Sequence, residues 1–295
     1  MASFSSTLLE LFIRARRIKT NKSLNEVNQF IAGLGPEVRS YNVAMADARS
    51  KMKSKIRKLY KNKSSKELAI FLIYFYALGY HMAQPKAKWI EQASQACKKR
   101  GLNNLNEFLA SRGEEEGRRH LLMRHDLQEL INLVYHRFEI RLDLEKILAL
   151  AKVSLPVTRF IQLHEERVSI EFPSQQLAIQ TEIELISLLF GPNFLAFCSR
   201  KLGGEILKCL SFVRYNSSCD VSYSMENFTW IRNLLKEYPD LLNELSSGAQ
   251  QALSIYTDYL NECQTLTRKK LMKAEQINFQ QSLACITNSS FQWSG

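Results

Sequence analysis

The chain has 295 residues, 45% hydrophobic and 23% charged, a composition that fits a folded globular protein and excludes collagen-like and low-complexity chains. Eleven Gly and six Pro are few for this length, which argues against a turn-rich all-β architecture. Residues 1–100 hold 20 basic and 6 acidic residues, and residues 101–295 hold 20 and 23, so the net +11 is the balance of +14 and −3. This asymmetry points to a polyanion or an anionic membrane surface as partner, or to a solvated basic face.

The elements follow in chain order. Leu8, Leu11 and Phe12 open a first amphipathic segment, too short for a signal-peptide core. Met52, Ile56, Leu59 and Tyr60 share one face of a second, whose other face is basic. Between Arg49 and Lys66 stand nine Lys/Arg and no Asp/Glu. Such a helix lies on anionic lipid or contacts phosphates. Only Tyr60 could stack on a base, so nucleic acid is a poor fit. The apolar run Leu68–Tyr80 is 13 residues long, too short to span a bilayer, and reads as a core helix.

Helices are predicted over Lys66–Met82, Lys86–Lys99, Leu105–Ile140 and Leu142–Ala151. Another begins at Thr158, after the break at Leu155-Pro156. Gln175–Phe190 follows, with Ser174 as N-cap and Gly191-Pro192 as its end. Phe194–Leu202, Glu205–Tyr223, Tyr223–Tyr238 and a last helix from Pro239 to about Leu271 complete the series. Eight or so helices with short connections define an all-α bundle. Residues 1–64 read as a basic helical extension packed on or flanking the core, 65–286 as the bundle and 287–295 as a tail. The six Cys show no CxxC spacing, which fits reduced thiols in a cytoplasmic protein.

Three stretches carry candidate chemistry. In Glu114-Glu115-Glu116-Gly117-Arg118-Arg119-His120, Glu116 and His120 are four apart, so an unbroken helix would present a carboxylate and an imidazole on one face. That stripe continues through Met123, Leu127, Leu130 and Val134, which favours His120 over Arg119 as the inward residue; Gly113 and Gly117 can disturb it. Asn216, Asp220, Tyr223 and Asn227 recur at helical spacing on an inward face. There they form an internal hydrogen-bond network or bind something. Glu184 stands among Ile183, Leu185, Ile186 and Leu188, where a carboxylate is a metal ligand, a raised-pKa group or at the helix's wet edge; Glu182 is equally available.

Taken in order, these blocks resemble the heme-oxygenase-like superfamily. More narrowly, they resemble its thiaminase-II-like and di-iron-oxidase branch, the iron-containing redox enzymes. Phe71–Tyr76 with His81 resembles the early core helix, and Glu114–Gly117 with His120 and Asp126-Leu127 resembles the Glu-Glu-x-Gly-His…Asp-Leu block. Pro156-Val157-Thr158 with His164-Glu165, Pro173 and Glu184 resembles the Pro-x-Thr…Tyr-x-Glu…Pro…Leu-Glu block. Asn216…Asp220…Tyr223 resembles the His-x3-Asp-x2-His block. Together they cover about residues 65–265.

The resemblance implies a helical bundle of about eight helices, often a homodimer, that activates dioxygen with non-heme iron and acts on a small molecule in its core. This sequence departs from the pattern. In literal register Arg118 takes the first histidine position, and Asn216 and Tyr223 take the later two. Neutral Asn and protonated Tyr replace imidazole poorly. What remains implied is a site for one iron ion rather than two, from Glu116, His120, Glu184 and Asp220, with Tyr223 and Arg119 as catalytic candidates. A Cys nucleophile, as in the thiaminase branch, would fall on Cys219, and heme ligation on His81. The alternatives are a cofactor-free oxidase of the same class, and a pseudoenzyme without metal, whose pocket binds a ligand or partner and whose basic third touches a membrane or polyanion.

Overall fold

A computed structural model describes residues 24–59, 63–169 and 174–289. Within that range the side chains of residues 24–27, 114–115, 169, 218–221, 275 and 277–289 fall outside the description. The Leu8–Phe12 segment, Tyr60 and Pro173 also lie outside it.

The described residues form eleven α-helices and one 3-10 helix. They are α1 (Leu24–Gly33), α2 (Pro36–Leu59), α3 (Ser65–Ala83), α4 (Lys86–Lys99), α5 (Asn103–Glu116), α6 (Arg119–Phe138), α7 (Leu144–Lys152) and α8 (Leu155–Ser169). Then come α9 (Ser174–Leu202), the 3-10 turn Gly204–Cys209, α10 (Ser211–Glu237) and α11 (Leu241–Ser289). The all-α expectation is met, with more helices than eight.

Helix α3 is apolar on every side, as a central helix must be. Leu68 through Tyr74 and Tyr76 through Gly79 are all buried. Ser64 caps its N-terminus, accepting from the Glu67 amide at 3.1 Å. Around α3 pack α6, α7, α8 and α11, while α9 lies between α10 and α11. Helix α2 covers α10 and α11 with Val38, Tyr41, Met45, Met52, Ile56 and Leu59, all part of the same apolar core.

Several predicted boundaries are corrected: the helix expected from Thr158 begins at Leu155, Glu205–Tyr223 and Tyr223–Tyr238 are a 3-10 turn and one continuous helix, and the last helix runs on to Ser289. The Leu105–Ile140 helix is two helices, broken at Gly117-Arg118. Conversely, α9 runs through Gly191-Pro192 instead of ending there. Proline disfavours a helix interior, but Phe197, Cys198 and Leu202 beyond it are buried, so packing outweighs the local cost. Gly191 marks a close approach of α9 to α10: a Cβ there would lie 1.9 Å from Ser217 Oγ, which would have to turn away. By length and composition α9 could cross a membrane, yet it carries buried Glu182 and Glu184, each bound to another helix of the bundle. It is a core helix here.

Candidate functional site

The break at Gly117-Arg118 decides the first half of the site. Glu116 ends α5 and Arg119 begins α6, and the interruption removes the helical phase that linked Glu116 to His120. Arg119 turns inward, 2% exposed, and its Nη1 lies 2.7 Å from Glu116 Oε1. Lys86, from the first turn of α4, brings its ammonium to 3.0 Å from Glu116 Oε2. Burial pushes the Glu116 carboxyl up, but Arg119, Lys86 and Arg112 outweigh it and hold the pKa down at about 2.

Helix α9 supplies the second half. Glu184 is 2% exposed and ion-paired to Arg112 of α5. Gln180, one turn earlier, donates to Glu184 Oε1 at 2.9 Å, and Asn227 of α10 donates to Oε2 at 2.8 Å. Both carboxylate oxygens are therefore engaged. The Arg112 guanidinium carbon stands 3.4 Å from the centroid of the Tyr223 ring, and that of Arg119 stands 5.5 Å from the same ring. Cation–π attraction thus ties both guanidiniums to α10. Arg119 Nη1 also reaches Asn216 Oδ1 at 3.4 Å. The polar inward face of α10 contributes Asn216, Tyr223 and Asn227 to one network.

A cavity of about 90 Å³ opens beside this network, and its lining includes Lys86, Glu116, Arg119, His164, Glu184 and Asn216. A second, of about 80 Å³, shares Phe75, Ser187, Phe212, Asn216 and Tyr256 with it and continues among Phe71, Phe194 and Leu260. Each is smaller than the ~150 Å³ space that holds a benzene ring in a protein core. Charged and amide side chains and aromatic rings together line this pair of adjoining cavities.

The sequence-predicted residues fall as follows. Glu116, Glu184, Arg119 and Tyr223 are brought together through the ion pairs and ring contacts. The leaning toward His120 as the inward residue is corrected: its ring is half-buried, 5.8 Å from Tyr80. The side chains of Asp220 and Cys219 lie outside the described residues. His81 donates its Nε2 proton to the Leu148 carbonyl at 2.9 Å. Among the described residues no group of three or more His, Cys, Asp or Glu is arranged to hold a metal. Lys86, Arg112, Gln180 and His164 were missed as site residues. For Gln180 the signal was there, a polar residue four before Glu184 in an apolar helix. Lys86 and Arg112 carried none, because charged helix residues are usually solvated.

No family model matches this chain, and no curated protein matches it. Among solved structures it is similar to a domain of unknown function with a heme oxygenase-like fold from Shewanella denitrificans OS217. The two share 15% identity over 86% of this chain and 96% of the other, with a TM-score of 0.50. The fold is therefore heme oxygenase-like, an all-α bundle.

Proposed function

We propose that this chain is a ligand-binding protein on a heme oxygenase-like fold, in which buried ion pairs stand where the resemblance to iron-containing redox enzymes places metal ligands. One observation carries this reading: Arg119 and Lys86 hold Glu116, and Arg112 holds Glu184. A divalent cation between these carboxylates would face three positive side chains at close range. The nitrogen ligands of the resembling block are replaced by Asn216 and Tyr223. Among the described residues this donor set does not fit iron. The adjoining cavities, lined by polar and aromatic side chains, instead suit a small amphiphilic molecule.

The test is elemental analysis of protein expressed with iron and purified without chelator, beside Glu184→Gln. Folded wild-type protein with well under one equivalent of iron or manganese, and no uptake of added Fe(II), is expected. Near-stoichiometric metal lost in the variant would overturn the reading and restore the oxidoreductase.

A second surface supports contact with anionic lipid. Lys53, Arg57 and Lys58 on α2 are exposed. Partial burial and then the neighbouring Lys58, Arg268 and Lys63 lower the pKa of Lys55, so cations from α2 and α11 crowd one face. Beside them Lys53 and Arg57 edge a groove of about 650 Å³ whose floor includes Leu185, Leu189 and Phe190. Basic and apolar groups side by side suit an amphiphilic surface better than a purely ionic one. Arg49 and Lys63, part of the basic run in sequence, are instead bound to Glu182 and Glu67. Vesicles containing phosphatidylserine should sediment the protein and pure phosphatidylcholine vesicles should not, with the difference reduced in Lys53→Glu/Lys58→Glu. Binding to heparin but not to these vesicles would point to a soluble polyanion.

A further inference from the structure

Helix α2 rests on α10 and α11, and a groove of about 650 Å³ lies between it and α9. Arg49, Lys53 and Arg57 follow one another at four-residue spacing, so one face of α2 brings all three to the groove. Among the described residues Glu182 is the one carboxylate lining it, and Tyr41 and Arg49 already engage both its oxygens. The charge that remains on this wall is that of Lys53 and Arg57, both exposed. The opposite wall is apolar, formed by Leu185, Ile186, Leu189 and Phe190 of α9.

Ile186 and Phe190 line the core cavity as well as the groove, so these two side chains stand between the two spaces. On the inner side there is room. Phe75, which lines both parts of the core cavity, is only half-buried, while Leu72 to Tyr74 and Tyr76 to Leu78 around it in α3 are buried. The two inner spaces, of about 80 and 90 Å³, are each smaller than one that holds a benzene ring. Two small spaces side by side suit a narrow chain better than a ring system. We infer that the groove is the mouth of the core cavity and that it takes a single-chain alkyl phosphate. The head sits on Lys53 and Arg57, and the chain passes Phe190 to lie among Phe71, Phe75 and Phe194. Two cations match the near-dianionic charge of a phosphate monoester better than the single charge of a carboxylate. The inference rests on the reading of the core cavity as a ligand site, and adds the ligand's class and its entrance.

The experiment is calorimetric titration of the full chain with octyl phosphate, decyl phosphate, decanoate and decanol, each below its micelle concentration. Decyl phosphate should bind about tenfold more tightly than octyl phosphate, because each further buried methylene strengthens binding about fourfold. It should also bind more tightly than decanoate and decanol. Lys53→Glu/Arg57→Glu should weaken decyl phosphate about tenfold or more. Ser187 lines both inner spaces and not the groove, so Ser187→Leu should abolish the gain from octyl to decyl. No such gain in wild type, a gain kept in Ser187→Leu, or decanoate binding as tightly as decyl phosphate would overturn the inference and leave the core cavity a ligand site. Failure of all four probes to bind would overturn it as well, whereas near-stoichiometric iron in the purified protein would overturn the reading on which it rests. Methyl spectra of methionine- and valine-labelled wild type need no variant. Met52 lines the groove and Val213 the core cavity, and decyl phosphate should move both signals. Movement of Met52 alone would leave the chain outside the core and overturn the inference.

Discussion

Helix α9 carries two buried carboxylates two residues apart, and they meet opposite surroundings. Glu182 turns toward α2, where Tyr41 donates to it at 3.1 Å and Arg49 grips it through Nε and Nη2 at 2.8 and 2.6 Å. The Arg49 side chain remains 23% exposed at the edge of a groove. Glu184 turns the other way, toward α5 and α10, and its Arg112 partner is 4% exposed. Both pairs join helices distant in sequence, but only the Glu184 pair belongs to the network around the core cavity. The difference teaches that a buried ion pair is ordinary in this fold, and that its position beside a cavity gives the Glu184 pair its functional interest.

The comparison can be broken most directly by truncating each arginine. Arg112→Ala leaves Glu184 buried without its cation and should cost about 3–5 kcal/mol in urea unfolding. Replacing both partners, as Arg112→Met/Glu184→Leu, should recover much of that loss. Gly191→Ala tests the α10 side of the same helix, where the new methyl meets Ser217; a loss of about 1–3 kcal/mol is expected. Arg49→Ala should cost less than Arg112→Ala, about 1–2 kcal/mol, because water can reach Glu182 once the side chain is gone. Equal losses for the two arginines would erase the distinction. The exposed Lys51–Asp47 pair sets the floor, and Asp47→Ala should change stability by less than about 0.5 kcal/mol.

The pH dependence sharpens the same contrast. Glu116 is held down at about 2 from an ordinary 4.5, so its contribution is present above pH 4.5 and is lost as pH falls toward 2. His164, held down at about 3 from 6.5, folds neutral, so stability also falls as pH drops from 6.5 toward 3. Asp126 works in the other direction. Burial raises it to about 7 from 3.8, although it accepts from the Phe212 amide at 2.8 Å at the start of α10. Its contribution is greatest below pH 3.8 and is lost as pH rises through 7. His164→Phe should flatten the acid limb of a plot of urea midpoint against pH, and Asp126→Asn the neutral limb. Unchanged limbs would show that these groups do not set them.

Much of the architecture was legible in the sequence. The α3 core helix follows from an apolar run without a polar face, α4 from the periodic stretch Lys86–Lys99, and the all-α class from 3.6-residue spacing throughout. Glu116, Glu184 and Tyr223 were legible as candidate site residues, and Arg119 as a catalytic candidate but not as the inward residue. What those residues touch was not. Local spacing put His120 inside by extending one helix through Gly117, and only the break between α5 and α6 turned Arg119 inward. The run through Gly191-Pro192 likewise depends on the tertiary packing of Phe197, Cys198 and Leu202 beyond it. Arg112, Lys86 and His164 reach the site from α5, α4 and α8. Chain pattern reports which face of a helix is buried, because burial follows the helical repeat. Which charges meet across the core depends on how separate helices are placed, and that was decided by the tertiary structure alone.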